Sequence, residues 1–231
     1  RIIQITPPGQ LIIKTATRML RDAENLKKIA REFTNEANGT LTIATTHTQA
    51  RYSLPSVIQL FTARYPKVKL ILRQGSPVQI STLVTSGEAD IAIATEAIEQ
   101  FNELITLPCY QWNRCVIVPP KHPLLKMKKL TLEAITRYPI ITYDDAFTGR
   151  SKINQAFANH GLEPNVVLTA IDSDVIKTYV ELGLGIGILA NLAFEAKRDK
   201  NLKSIDASHL FESSTTRIGI SRNNYIRGYI F

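Results

Sequence analysis

The sequence predicts an α/β protein of two similar units in series, set behind one long helix and separated by a cleft. Three observations carry that prediction: a heptad seam over residues 12–37, strand and helix alternating from Gly39 to Ala94, and the same rhythm returning from Pro139 to Leu189.

Pro7-Pro8-Gly9 reads as a turn that opens the helix. Ile12, Ala16, Met19, Ala23, Leu26, Ala30, Phe33 and Ala37 then follow at spacings of 4, 3, 4, 3, 4, 3 and 4, until Asn38-Gly39 ends it. The other positions are largely polar, among them Arg18, Asp22, Lys27 and Glu36. Such a narrow stripe suits pairing with the helix of a second chain, and the alternative is an amphipathic helix lying on its own domain.

In the first unit, Leu41 to Ala44 reads as a strand and Leu54 to Tyr65 as a helix cut off at Pro66. Val68 to Leu72 is a strand, Pro77 to Ser86 a helix ended by Gly87, and Ala89 to Ala94 a third strand. This βαβαβ order predicts a parallel sheet covered by helices. An extended run through Tyr110 and Trp112 to Val118 leads into the second unit. There Pro139 to Tyr143, Val166 to Ala170 and Gly185 to Leu189 are strands, with helices over Ser151 to His160 and Asp174 to Leu182. A last strand, Arg217-Ile218-Gly219-Ile220, is placed to return to the first unit and make a hinge of two crossings.

Composition excludes several classes. The chain has 231 residues, 44% of them hydrophobic, so it buries a real core, and no apolar stretch approaches the roughly 20 residues of a membrane span. The start lacks a signal peptide and an initiator Met, which reads as a fragment of a protein that stays in the cytoplasm. Net charge of +8 favours an anionic partner without placing nucleic acid here, since the Lys121–Lys129 run reads as a solvated loop. Cys109 and Cys115 with four scattered histidines (His47, His122, His160, His209) make no metal-ligand spacing, and both thiols are expected free and buried.

In parallel α/β sheets, ligands sit beyond the carboxyl ends of strands, where helix N-termini offer N–H groups and a positive dipole end. The strand exits here are Thr45-Thr46-His47-Thr48-Gln49, Gln74-Gly75-Ser76-Pro77, Thr95-Glu96 and Ala146-Phe147-Thr148-Gly149-Arg150-Ser151. Hydroxyl and amide groups at such places hold a small oxyanion, although each threonine taken singly also suits a helix cap. Catalysis finds no support. His47 lacks an orienting partner, Asp144, Asp145, Asp172 and Asp174 suit capping or turns, and Gly183-Leu184-Gly185-Ile186-Gly187 reads as a tight turn into a strand rather than a dinucleotide loop.

Thr45 to Tyr52, Gln74 to Pro77, Gly87 to Glu96 and Asp172 to Val180 together resemble the CysB and Cbl branch of LysR-type transcriptional regulators. The resemblance implies two Rossmann-like subdomains with a two-crossing hinge, as in periplasmic binding proteins, following a dimerising linker helix. It implies a remnant of a DNA-binding wing at 1–9, the linker at 10–38, subdomain I at 39–112 and 213–231, and subdomain II at 113–212. The family's tail is expected to run past Phe231. A sulfate, thiosulfate, adenosine phosphosulfate, or O-acetylserine or N-acetylserine effector is implied in the cleft, held by Thr46, Thr48, Gln49, Thr95 and Thr148, with Gly75, Ser76, Tyr110 and Trp112 as further lining. The implied protein is a cytoplasmic homodimer or homotetramer, commonly an activator of sulfur or cysteine genes, that contacts promoter DNA through an N-terminal domain and carries no cofactor or metal. A solute receptor of a transport system is the alternative for this architecture.

Overall fold

A computed structural model of the chain describes residues 5–33, 39–146, 148–225 and 228–230. The wing-remnant expectation for residues 1–4 and the end of the seam at Ala37 lie outside them. Helix α1 runs from Pro7 to Phe33, so the Pro-Pro-Gly turn expected before it is instead its first turn. Proline at a helix start has no useful N–H to lose, and Thr6 Oγ1 accepts from Gly9 N–H at 3.3 Å. Along the seam, Ile12, Met19 and Leu26 are 67 to 68% exposed, so this chain alone leaves them in water. The helix is tied to the rest by Asn25, whose side chain donates to Asn223 O and accepts from Tyr225 N–H. No helix among the described residues is long and apolar enough to cross a membrane.

The remaining elements are β1 (Gly39–Thr45), α2 (Leu54–Arg64), β2 (Val68–Gln74), α3 (Pro77–Ser86), β3 (Ile91–Thr95), β4 (Leu104–Trp112), β5 (Arg114–Val118), α4 (Leu132–Ile135), β6 (Ile140–Tyr143), α5 (Thr148–Ala158), β7 (Val166–Ala170), α6 (Ser173–Glu181), β8 (Ile186–Ala190), β9 (Lys203–Asp206) and β10 (Ser214–Ser221). They form two five-stranded sheets, ordered β2-β1-β3-β10-β4 and β7-β6-β8-β5-β9. Neither sheet is purely parallel as the βαβαβ reading expected. β10 runs antiparallel to β3 and β4, and β5 antiparallel to β8 and β9. The reason is the hinge: each sheet ends its own βαβαβ series and then accepts a strand belonging to a crossing.

The first crossing is one residue long, Asn113 between β4 and β5, and the second runs from β9 back to β10 beside it. Ser214 pairs with Trp112. Asn113 is held by Asn191 N–H on its carbonyl, and its side chain accepts from Arg114 N–H.

Strands β1, β3, β5, β6 and β8 are buried nearly end to end because both faces are covered, and the period of two sends alternate side chains to different cores. Ile91 and Ile93 join the core under α2, whereas Ala92 and Ala94 face Ile80 and Val84 of α3. In the second sheet, Val116 and Val118 pack with Phe157 while Cys115 and Ile117 pack with Ile176 and Val180. Gly187 is required at its place in β8, since a Cβ there would lie 2.5 Å from Ile117. Cys109 is exposed, contrary to expectation, because β4 is a sheet edge; Cys115 is buried. Both cysteines are free, and burial pushes the Cys115 thiol up to about 11, which disfavours the reactive thiolate.

The exposed seam makes a direct prediction. Lys at both Met19 and Leu26 should weaken self-association in sedimentation velocity, while thermal unfolding of the two sheets moves by no more than about 0.5 kcal/mol, because neither side chain is buried in the monomer. The side chain of Phe33, the other strong seam position, lies outside the described ones.

Candidate functional site

The carboxyl ends of β1 and β3 in the first unit face β6, α5 and α6 of the second. Between them lies a narrow, partly open cavity of about 30 Å³, lined by Thr46, Thr48, Gln49, Thr95, Trp112, Tyr143, Gly149, Ile171 and Ala190. Thr46, Thr48, Gln49, Thr95 and Trp112 were singled out from the sequence. Thr148 opens α5 beside Gly149, and its side chain lies outside the described ones. Among the described residues the lining carries no charged side chain.

Two of the threonines at the strand exits do not cap the turns that follow them. Thr48 and Thr95 each precede a helical turn, and neither side chain caps it. Ser76, Thr131 and Asp172 do cap, accepting from Gln79, Ala134 and Val175 N–H respectively. Thr48 Oγ1 instead meets Ser173 Oγ of α6 at 3.3 Å, and Ser173 Oγ meets Tyr143 OH at 2.7 Å. Tyr143 OH in turn accepts from Ala190 N–H at 3.1 Å. A file of hydroxyls therefore runs from the first unit across the cleft into the floor of the second. Burial raises the Tyr143 pKa and keeps the phenol neutral.

Gln49 is held from behind. Its Nε2 donates to Thr216 Oγ1 at 3.0 Å and its Oε1 accepts from Tyr110 OH, which also bonds Ser53 Oγ at 2.5 Å. Trp112 Nε1 donates to the same Thr216 Oγ1 at 3.1 Å. Tyr110 thus sits behind the lining rather than in it. Gly75 and Ser76 line a neighbouring, wider cavity of about 500 Å³, partly open to solvent, together with His47, Gln74, Gln79, Asp144, Ala146 and Ile171. Ser76 completes a capping box there with Gln79.

Beside the cavity the units are joined by charge. Gln49–Ser53 is a π-helical turn, and its Arg51 and Tyr52 reach α6. Arg51 Nε lies 2.6 Å from Asp174 Oδ2, and Tyr52 OH donates to Asp174 Oδ1 at 2.7 Å. Lys177 Nζ donates to Tyr52 OH, Ala193 O and Asp199 Oδ1 at 2.7, 3.0 and 3.1 Å. Burial pushes Asp174 up, but hydrogen bonds from Tyr52 and Lys177 outweigh it and hold the carboxyl below its ordinary 3.8. A second tie joins Glu96 to Lys152 of α5 at 2.7 Å. His47, Asp172 and Asp174 offer ligand atoms within 4.8 Å of one another, a grouping no sequence spacing indicates. The carboxylates are already engaged, Asp172 as a cap and Asp174 with Arg51, Tyr52 and Lys177.

Sequence reasoning did not find Tyr143, Ser173, Thr216 or Arg114. Tyr143 ends a strand, so the strand-exit rule reaches it. Arg114 is a charge at the head of an apolar run, a signal of its own. Ser173 and Thr216 give no local signal.

A family model described as the LysR substrate binding domain matches residues 34–226. The transcriptional regulator SsuR of Burkholderia cenocepacia is 53% identical over all 231 residues, which span 75% of its length. The regulator CysB of the same organism is 51% identical, again over the whole chain and 74% of its own length. The crystal structure of the cofactor-binding domain of the Cbl transcriptional regulator superimposes with a TM-score of 0.80 at 49% identity, covering 84% of this chain and 85% of that one.

The charged junction predicts that Lys177→Met, which leaves Asp199 without its cation and Asp174 with Arg51 alone, lowers unfolding free energy by about 3 kcal/mol in urea titrations at neutral pH. Because the Asp174 pKa is depressed on folding, its contribution is present above about pH 4 and is lost as pH falls through the lower folded value. Asp174→Asn should remove that part of the acid dependence.

Proposed function

Because the chain belongs to the LysR substrate-binding domain family, we propose that its cleft senses a small oxyanion or acetylserine-type effector on behalf of a regulator of sulfur assimilation. The chain is the effector-binding part of a LysR-type transcriptional regulator, and its relatives are regulators rather than enzymes or transport receptors.

The observation that carries the effector reading is the position of Thr48 in the cleft wall, where its side chain leaves its own helical turn uncapped and meets Ser173 of the second unit. With Thr46, Gln49, Thr95 and Gly149 of α5, it lines a neutral cavity that suits an oxyanion held by hydroxyl, amide and backbone donors. Thr148 is proposed to reach the same ligand from α5. Sulfate, thiosulfate, adenosine phosphosulfate and the acetylated serines all present oxygens of this kind.

Promoter DNA is proposed to be held by a helix-turn-helix region outside this chain, in the quarter or so of the relatives' length that it does not span. Self-association through α1 is proposed to build a homodimer or homotetramer, in the cytoplasm. Without a recognition helix, this chain should retain DNA only weakly, with steep salt dependence and no preference for promoter sequence in mobility-shift titrations.

Calorimetric titration of sulfate, thiosulfate and O-acetylserine tests the effector reading. Thr48→Ala and Thr148→Ala should each weaken the same ligand by about 1.5 to 3 kcal/mol, the range for a hydrogen bond to a charged group. Normal binding in both variants would place the ligand elsewhere.

A further inference from the structure

We propose that Arg114, buried behind the cleft, is the residue that makes the cavity select effectors of net negative charge over zwitterionic or neutral ones. This rests on the oxyanion reading above and adds the source of its charge preference.

Arg114 is 0% exposed. Its Nη1 donates to Glu212 O at 2.6 Å and its Nη2 to Ser214 Oγ at 2.9 Å, both neutral acceptors. Its Nε is buried without a hydrogen-bond partner. The guanidinium lies 5.3 Å from the Trp112 ring centroid, and its Nη2 is 4.0 Å from where a Cβ on Gly149 would stand. Trp112 and Gly149 both line the cavity, so the cation is one layer behind the wall. Among the described residues, no carboxylate oxygen forms an ion pair with it. The nearby Lys152 is different, matched by Glu96 at 2.7 Å.

Glu96 and Glu212 are near enough to act on it through space, but a buried cation without a direct ion pair is costly, and its field is weakly screened. Hydroxyl and amide donors in the wall bond a sulfate oxygen more strongly than an uncharged sulfonyl oxygen, but only through the oxygens they touch. The guanidinium discriminates by charge. An anion in the cavity adds to the partial counter-charge that Glu96 and Glu212 supply from a distance, so each negative charge on the ligand adds to affinity.

Arg114 also ties the two crossings together, so the test must separate charge from scaffolding. Sulfate, methanesulfonate and dimethyl sulfone share sulfonyl oxygens and carry charges of −2, −1 and 0. In titrations at constant ionic strength, Arg114→Gln should weaken sulfate roughly 10- to 100-fold and methanesulfonate by less, and leave dimethyl sulfone within about twofold. Arg114→Lys should keep sulfate within about tenfold of the parent. Ser214→Asp leaves the arginine and its tie in place while giving it an internal counter-charge. It should depress sulfate binding much as Arg114→Gln does, and Ser214→Asn, its neutral control, should not. The Ser214 pair decides the matter even if Arg114→Gln does not fold.

Equal loss of all three ligands would make Arg114 a scaffold residue and overturn the proposal, as would undiminished sulfate binding by Ser214→Asp. If the parent binds sulfate and both charge-altering variants bind it equally well, only this inference fails. If the parent binds none of the three ligands, the oxyanion reading fails and takes this one with it.

Discussion

The double crossing at Asn113 is the constraint on which the molecule depends. Two sheets that each bury both faces cannot share a core, so their relation is set by the strands that pass between them. Asn113 alone separates β4 from β5, and the return segment lies directly alongside, with Ser214 paired to Trp112. Arg114 grips that return segment at Glu212 O and Ser214 Oγ. A guanidinium suits the task because its rigid fork satisfies two acceptors on another strand at once. The geometry also brings Thr216, on the returning strand, beneath Gln49 and Trp112, so the hinge and the cleft wall are built from the same few residues.

The cleft and its rim obey different electrostatic rules. The lining is neutral, built of hydroxyls, an amide, an indole and apolar side chains, whereas the junctions beside it are ion pairs: Arg51 and Lys177 with Asp174, and Lys152 with Glu96. Charges that close the units together are satisfied inside the protein and do not compete with a ligand for its oxygens. The hydroxyl file from Thr48 through Ser173 to Tyr143 links the two regions without charge, and each hydroxyl can turn its proton either way.

Local periodicity made much of this fold legible. Alternation around Ile91-Ala92-Ile93-Ala94 marks a strand covered on both faces, Pro66 and Gly87 mark helix ends, and Arg217 to Ile220 could be placed as a returning strand. The short β9 was missed because Lys203-Ser204-Ile205-Asp206 holds one apolar residue and is a sheet edge. The mixed sheets were missed because strand direction at a crossing is decided by the partner unit. At the site, Thr46, Thr48 and Thr95 were readable from the strand-exit rule. Ser173, which lies 125 residues from its contact with Thr48, has no local pattern, and Gly75 and Ser76 line the adjoining hollow, which shares Ile171 with the first, because a strand exit specifies an end of the sheet and not which of two adjacent hollows it faces.

The π-helical turn at Gln49–Ser53 carries one residue more than an α-helical turn would hold, its closing hydrogen bond running from Leu54 N–H to Gln49 O. Within it, Gln49 points to the cleft wall, Arg51 and Tyr52 to α6, and Ser53 to Tyr110. Removing one residue would restore the regular helical phase and rotate these side chains by about 100° relative to α2. The segment from Thr48 to Pro55 is therefore a ruler. Its composition can drift as long as each contact finds a substitute, but its length cannot, and an insertion or deletion there would disconnect ligand, hinge and junction in a single step.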